Sequence, residues 1–416
     1  MMTWITLAVR NLFRNGRRSF FTILAISLGF AAVNALGGFT AYIFTSLKNA
    51  DIYNQANGHL SIFKQGFLQE GKLNPTEYLL DEKDVAAIRA VLKGHPEVIV
   101  TSPQLRISGL LSNGQVSTIF LATGRVPSEV RTINSYARGE MAKIKLFTGK
   151  QLEDDHLFGV GLSRGLAEQL KFELGTTAVA MAPTVSGQIN ALDAQVLQVF
   201  DSPVEALDDK LMLVPIKFAQ NLYDTTGIDR LIVLLKDDEK TVLMRNQLAK
   251  ELAAQGLKLD IKTWNELSPF YTKVKKMFDI IFMVTFLIVF TIVVMSVINT
   301  VGMAIMERTR EIGTLRALGL KRRGVIGLFA IESMLLGFFG SLLGMILTLG
   351  VWWGIKVLEP TWVPPQITSR IPLEIYLVPY YMLYSSLLLV VLSLIAACLP
   401  ARKAARMEIV GALGHV

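Results

Sequence analysis

The chain has 416 residues, of which 51% are hydrophobic and only 18% charged, with a formal net charge of +8. That balance excludes an ordinary soluble domain and points to a membrane protein. The positive excess lies in short Arg/Lys clusters suited to anionic lipid, so no nucleic-acid partner is needed, and a single cysteine, Cys398, excludes a disulfide framework.

In chain order, residues 1–18 place Trp4, Leu7, Ala8 and Phe13 with Arg10 and Arg14 in the pattern of an amphipathic helix on the inner leaflet. The run 19–47 carries no charge and far exceeds a signal-peptide core of roughly 7–15 residues, so it is expected to stay as the first span. Three more apolar runs follow, 280–306, 324–355 and 375–400, and only the second of these contains an acid or base, Glu332. Each run exceeds the roughly 20 residues that cross a bilayer. The predicted fold class is therefore an α-helical membrane protein with four transmembrane helices and a large mixed α/β extracytoplasmic domain, 48–279, between helices 1 and 2.

Arg10, Arg14, Arg17 and Arg18 precede the first span, Lys321, Arg322 and Arg323 close the segment 307–323, and Arg402, Lys403 and Arg406 open the tail 401–416. The remaining short loop, 356–374, holds only Lys356 and Arg370. The positive-inside bias puts both termini and 307–323 in the cytoplasm and the large domain outside it. No glycosylation acceptor occurs, since Asn74 is followed by Pro75, which favours a bacterial envelope. Trp352, Trp353 and Trp362 fall where the third span emerges, as interfacial aromatics do.

Within the domain, Asp84 to Leu92 reads as a helix, and Leu105 to Leu111 and Gln115 to Leu121 read as strands joined by the hairpin signal Asn113-Gly114. Leu231 to Leu235, Glu239 to Gln255 and Leu257 to Thr263 predict a β-α-β unit at its end. Gly161-Leu-Ser163-Arg-Gly165 matches the nucleophile-elbow string, but the only histidine after it is His415, across the membrane by this topology. The expectation is a turn with Ser163 as the N-cap of a helix 166–170. His59, His95 and His156 stand singly without metal-ligand spacing, so no metal site is expected. No Gly-x-x-x-x-Gly-Lys-Ser/Thr loop is present, so the chain is expected to be non-catalytic and to bind no nucleotide or other cofactor itself.

The segment 307–323 is charged, alternates in sign and carries Ile312, Leu315 and Leu318 at helical spacing, the form of a docking helix for a partner protein. Glu332 is expected to anchor the span by reaching toward the inner face or pairing with a basic residue there, with a transport role as the alternative. Gly340 and Gly344, Gly350 and Gly354, and Gly37 with Ala41 are small residues at four-residue spacing that let helices approach, within one subunit or at a dimer seam.

The run Glu307-Arg308-Thr309-Arg310-Glu311-Ile312-Gly313-Thr314-Leu315-Arg316-Ala317-Leu318-Gly319 is similar to the string "R-x-x-E-I-G-x-x-R-A-x-G" of the MacB/LolC/LolE/FtsX superfamily of ABC permeases. Arg10-Asn-Leu-Phe-Arg14, the Gly-rich third span and Pro400-Ala-Arg-Lys-Ala-Ala-Arg406 extend the resemblance over essentially the whole chain, and its layout is closest to the LolC/LolE-type lipoprotein-releasing permeases. Ile409 stands where a proline is usual before Ala412-Leu413, so the tail is expected to dock differently.

The resemblance implies half of a dimer, with the same chain or a relative, bound to two copies of a separate ABC ATPase that supplies ATP and Mg chemistry. It makes Glu307, Arg308, Arg310, Glu311, Ile312, Gly313, Leu315, Arg316 and Gly319 the ATPase-coupling residues. It further implies extraction or export of lipoproteins or other amphiphiles from the inner membrane, with a periplasmic carrier or adaptor. Phe39, Tyr42, Ile43 and Phe44 of the first span with Phe278, Ile281 and Phe282 of the second are the candidate substrate cleft, with lipid-facing or interhelical packing as the alternative for each. The alternative is an FtsX-like mechanotransmission subunit that regulates a periplasmic cell-wall enzyme and transports nothing.

Overall fold

The first long helix, α1 (Gly16–Asn49), is apolar along most of its length and runs on through a π-helical turn, Ala50–Asn54, into the domain. This computed structural model describes residues 6, 8, 10–12, 14, 16–71, 73–138, 147–202, 205–362 and 370–408. Trp4, Leu7 and Phe13 of the N-terminal helix, and Ile409, Ala412 and Leu413 of the tail, lie outside the described residues.

The domain follows as β1 (Leu60–Lys64), α2 (Glu82–Lys93), β2 (Val98–Ser112), β3 (Ser117–Arg125), α3 (Pro127–Ser135), β4 (Phe147–Gly149), β5 (Gly159–Ser163), α4 (Arg164–Gln169), β6 (Thr177–Pro183), β7 (Ile189–Phe200), β8 (Leu211–Pro215), α5 (Ile216–Tyr223), β9 (Arg230–Leu235), α6 (Thr241–Ala254) and β10 (Leu259–Thr263). Its strands form one sheet in the order β10-β1-β9-β2-β3-β8-β5-β7-β4, with β6 bridging β2 and β7.

Local chemistry sets the ends of these elements. Asp81 accepts from the Asp84 N–H at 2.7 Å in a reciprocal capping box that starts α2. In the β2–β3 turn Asn113 Oδ1 accepts from the N–H groups of Gln115 and Val116, at 2.9 and 2.8 Å, while Gly114 takes φ +88. Strand β1 is antiparallel to both β9 and β10, so these two run parallel and α6 crosses between them, as the sequence pattern anticipates. Phe63, Phe120 and Phe218 are fully buried in the core.

The chain then forms α7 (Pro269–Glu307), α8 (Thr309–Ala317), α9 (Arg322–Leu358) and α10 (Pro379–Arg406). Helices α1, α7, α9 and α10 are the four described helices long and apolar enough to cross a membrane. The described residues divide into two units, one built from 1–44, 274–360 and 373–416, the other from 45–273 and 361–372.

In the first unit a Cβ on Gly340 would come 2.6 Å from Ile26, and one on Gly344 2.7 Å from Phe30, so these glycines seat α9 against α1. Gly350 and Gly354 meet nothing within 4 Å among the described residues. Thr22 pairs with Thr300 at 2.5 Å, Asn34 donates to Ser385 at 2.9 Å and Ser386 to Ser341 at 2.9 Å, so polar side chains also tie α1, α7, α9 and α10 together. Lys356 Nζ stands 5.2 Å from the Trp352 ring centroid.

Candidate functional site

The chain breaks helix at Arg308, whose φ of −110 and ψ of 18 turn α7 into α8. Thr309 stitches the corner, its hydroxyl donating to the carbonyls of Ile305 and Met306 at 3.0 Å each. At the other end Gly319, at φ +98, lets the Leu320 N–H reach Leu315 O at 3.0 Å and its own N–H reach Arg316 O at 3.1 Å. Those two bonds make a Schellman stop, which only glycine forms without strain.

One face of α8 is locked into the protein. Arg308 is buried and its Nη1 lies 3.3 Å from Glu332 Oε2, while Nη2 donates to Asn11 O at 3.4 Å. Ile312 and Gly313 are buried beside it, and Arg316 donates to the Met407 carbonyl at the end of α10. The other face is open: Arg310, Glu311, Thr314, Leu315 and Leu318 are exposed, Leu315 at 43% and Leu318 at 81%. Two ion pairs brace it from the N-terminal side, Arg14 with Glu311 at 2.9 Å and Arg18 with Glu307.

This arrangement corrects the sequence-based assignment in two respects. Arg308 and Ile312, expected on the docking face, serve as the internal anchor. Ile312, Leu315 and Leu318 do not form one stripe, because each three-residue step turns the helix face by about 60°, so the third residue has rotated about 120° from the first. Glu332 does pair with a base, from the preceding connection. Sequence reasoning missed Asn11, Arg14, Arg18 and Met407 as the holders of α8. A signal for the braces is present: Arg14 and Arg18 match Glu307 and Glu311 at the same four-residue spacing in reverse order, as antiparallel segments require.

The other candidate residues divide differently. Phe39 and Phe44 pack on Phe278 with ring centroids 6.1 and 5.7 Å away, Tyr42 packs on Tyr376 at 5.5 Å, and Ile43 is buried. Ile281 and Phe282 are exposed at the apolar surface. The expected cleft lining is thus largely helix packing. Ser163 precedes α4 as expected, but its buried hydroxyl donates to the carbonyls of Asp208 and Leu211, at 2.6 and 2.9 Å, and does not cap the helix. Through those two bonds it ties the end of β5 to the start of β8 and the turn before it.

The histidines are not isolated, contrary to the reading above. His59 is fully buried, with Nδ1 accepting from the Leu235 N–H at 3.1 Å and Nε2 2.5 Å from Asp238 Oδ1. His95 pairs with Glu251 at 2.7 Å. His156 shares a turn with Glu153 and Asp155, their ligand atoms within 4.8 Å of one another. Both carboxylates are exposed, and His156 Nδ1 already accepts from the Glu153 N–H at 3.1 Å.

Four apolar helices, an α/β domain between the first two and a charged helix between the second and third define an ABC-type permease. The chain matches the MacB-like periplasmic core domain over residues 19–251 and the FtsX-like permease C-terminal region over 282–409. It belongs to that permease family. It is 24% identical over 351 residues to the lipoprotein-releasing system transmembrane protein LolC of Neisseria meningitidis, covering 82% of this chain and 79% of LolC. It is 29% identical over 190 residues to the macrolide export ATP-binding/permease protein MacB of Escherichia coli K12, covering 45% of this chain but 28% of MacB. Among solved structures, the periplasmic region of MacB from Actinobacillus actinomycetemcomitans is similar over 51% of this chain and 91% of that one, at 15% identity and a TM-score of 0.37.

Proposed function

We propose that this chain is the transmembrane permease subunit of an ATP-driven ABC transporter in the bacterial inner membrane, with both termini and α8 on the cytoplasmic side. A separate ABC ATPase, present twice, binds ATP and Mg, and a second permease subunit completes the membrane dimer. The observation that carries this reading is the two-sidedness of α8. Its inner face is fixed by Arg308, Glu332, Asn11 and Met407, while Leu315 and Leu318 stand exposed beside Arg310 and Glu311. Two exposed leucines ringed by charges are the anchors of a protein interface. A push on that face is passed to α7 and α9 because the opposite face cannot slip.

Lipoproteins or other amphiphiles are the proposed cargo, supported by similarity to LolC over most of both chains, and a periplasmic carrier or adaptor would receive them. The packing of Phe39 and Phe44 on Phe278 favours a second reading, in which α1 and α7 stay closed and relay motion to a periplasmic cell-wall enzyme as an FtsX-like subunit does. Leu315→Glu with Leu318→Glu is the test of the shared part of both. Losing two buried leucine contacts of about 1.5–3 kcal/mol each weakens binding roughly a hundredfold or more, so the ATPase should be lost from the detergent-purified complex while thermal unfolding of the permease is unchanged. Stoichiometric ATPase retained on the variant overturns the assignment. The material that co-purifies with the unmodified chain, carrier and lipoprotein or hydrolase, separates the two readings.

A further inference from the structure

The rim of the domain that receives both membrane connections carries an apolar pair that no described residue covers. Strands β9 and β10 both end at this rim, β1 begins there, and α6 starts there before crossing back along the sheet. Helix α6 turns Met244, Leu248 and Leu252 into the core, yet its first turn exposes Val242 at 55% and Leu243 at 66%. Core packing has no use for them.

Ion pairs fix the height of this turn along the chain. Lys48, the first charge after the run 19–47, lies 2.6 Å from Asp238 in the turn that leads into α6. Arg245, one residue after Met244, lies 3.2 Å from Glu266, just before α7 starts at Pro269. From Arg18 to Lys48 the continuous helix covers roughly 45 Å at 1.5 Å per residue, the thickness of a bilayer with its headgroups. Asp238, bonded to Lys48, therefore belongs at headgroup level.

The surrounding charge suits a phospholipid surface. Lys273 is exposed in the first turns of α7, and Arg138, whose carbonyl accepts from Asn49 at 3.4 Å, is exposed beside the end of α1. The carboxylates of Asp238 and Glu97 are each engaged by a lysine, at 2.6 and 2.9 Å.

We propose that the first turn of α6, through Val242 and Leu243, is a lipid-contacting foot that seats the domain on the leaflet facing it, with the neighbouring bases meeting phosphate headgroups. The pairing of Lys48 with Asp238 and of Arg245 with Glu266 holds the foot at that depth. The inference rests on membrane insertion alone, so it stands whether the permease moves a cargo or relays a motion.

The experiment places a nitroxide on Val242→Cys or Leu243→Cys in a Cys398→Ser background. The full chain is reconstituted in nanodiscs of phosphatidylethanolamine and phosphatidylglycerol, and collisions with oxygen, which enters lipid, are compared with those of a water-soluble nickel chelate. Leu73→Cys, at an 81% exposed leucine far from this rim, is the reference. The oxygen-to-nickel ratio should be several-fold higher at 242 or 243 than at 73. Equal ratios mean the pair faces water, low accessibility to both reagents means a protein covers it, and either result overturns the proposal. On the unmodified chain, a phospholipid with a diazirine near its headgroup should leave adducts on residues 241–245. Adducts confined to the α7 lysines would equally rule out the foot.

Discussion

Arg308 and Glu332 form the ion pair on which α8 depends, and both side chains are more than nine-tenths buried. A buried pair of this kind adds little net stability over a matched apolar pair, but removing one partner strands the other at a cost of about 3–5 kcal/mol. Glu332→Ala is therefore expected to lower the thermal midpoint in detergent sharply, and Glu332→Leu with Arg308→Met to recover most of the loss. A single variant as stable as the double one would show that the pair does not hold the corner. On the domain side Asp238 is the comparable residue. It takes a hydrogen bond from His59 and one from Lys48 at 2.6 Å, and these hold its carboxyl well below the ordinary value of 3.8. A carboxylate whose folded pKa is depressed contributes stability that is present above its unfolded value and lost as pH falls below it. Exchange protection at the Leu235 N–H, bonded to His59, should thus weaken as pH drops below about 4, and Asp238→Asn should remove that pH dependence and lower protection at neutral pH. Unchanged acid sensitivity in Asp238→Asn would place its origin elsewhere.

Element by element, the sequence was most informative where local rules decide. The Asn113-Gly114 turn, the strand pair on either side of it and the β9-α6-β10 unit follow from residue types within a few positions. Long-range pairing was not legible. Gly109 lies where β6 crosses β2, and a Cβ there would come 3.0 Å from that of Ala182, yet no neighbour in sequence hints at the crossing. The string around Ser163 looked local and was misread because its hydroxyl partners, Asp208 and Leu211, come from the turn before β8 and the start of that strand, more than forty residues on. Periodicity marked α8 as a docking helix, but the split between its buried and exposed faces is set by its corner with α7 and by Glu332 on α9, neither of which a helical repeat encodes. The aromatic residues placed in a cleft meet a related limit, since Phe39 and Phe278 carry the same signal whether they line a cavity or pack together.

For the molecule as a whole, one vector underlies the proposed function, namely which side of the membrane α8 occupies. The sequence argument for it is the concentration of bases at the start of α1, in the α8–α9 connection and at the end of α10. Lys273, Lys275 and Lys276 at the start of α7 oppose it by count, yet they border a long domain, and long domains translocate whatever their charge. Asn11, ahead of α1, and Met407, at the end of α10, both accept bonds from the α8 segment, so those two residues lie on its side. A membrane-impermeant maleimide on intact spheroplasts decides the matter. In a Cys398→Ser background, Leu73→Cys should be labelled at once, whereas Leu318→Cys, equally exposed on the protein at 81%, should react only after the membrane is opened. Labelling of Leu318→Cys from outside would put α8 out of reach of any cytoplasmic ATPase. The buried corner of Arg308 and Glu332 would then remain as a structural knot, but the exposed leucines would have to be covered by an extracytoplasmic partner, and ATP would have no route into the domain.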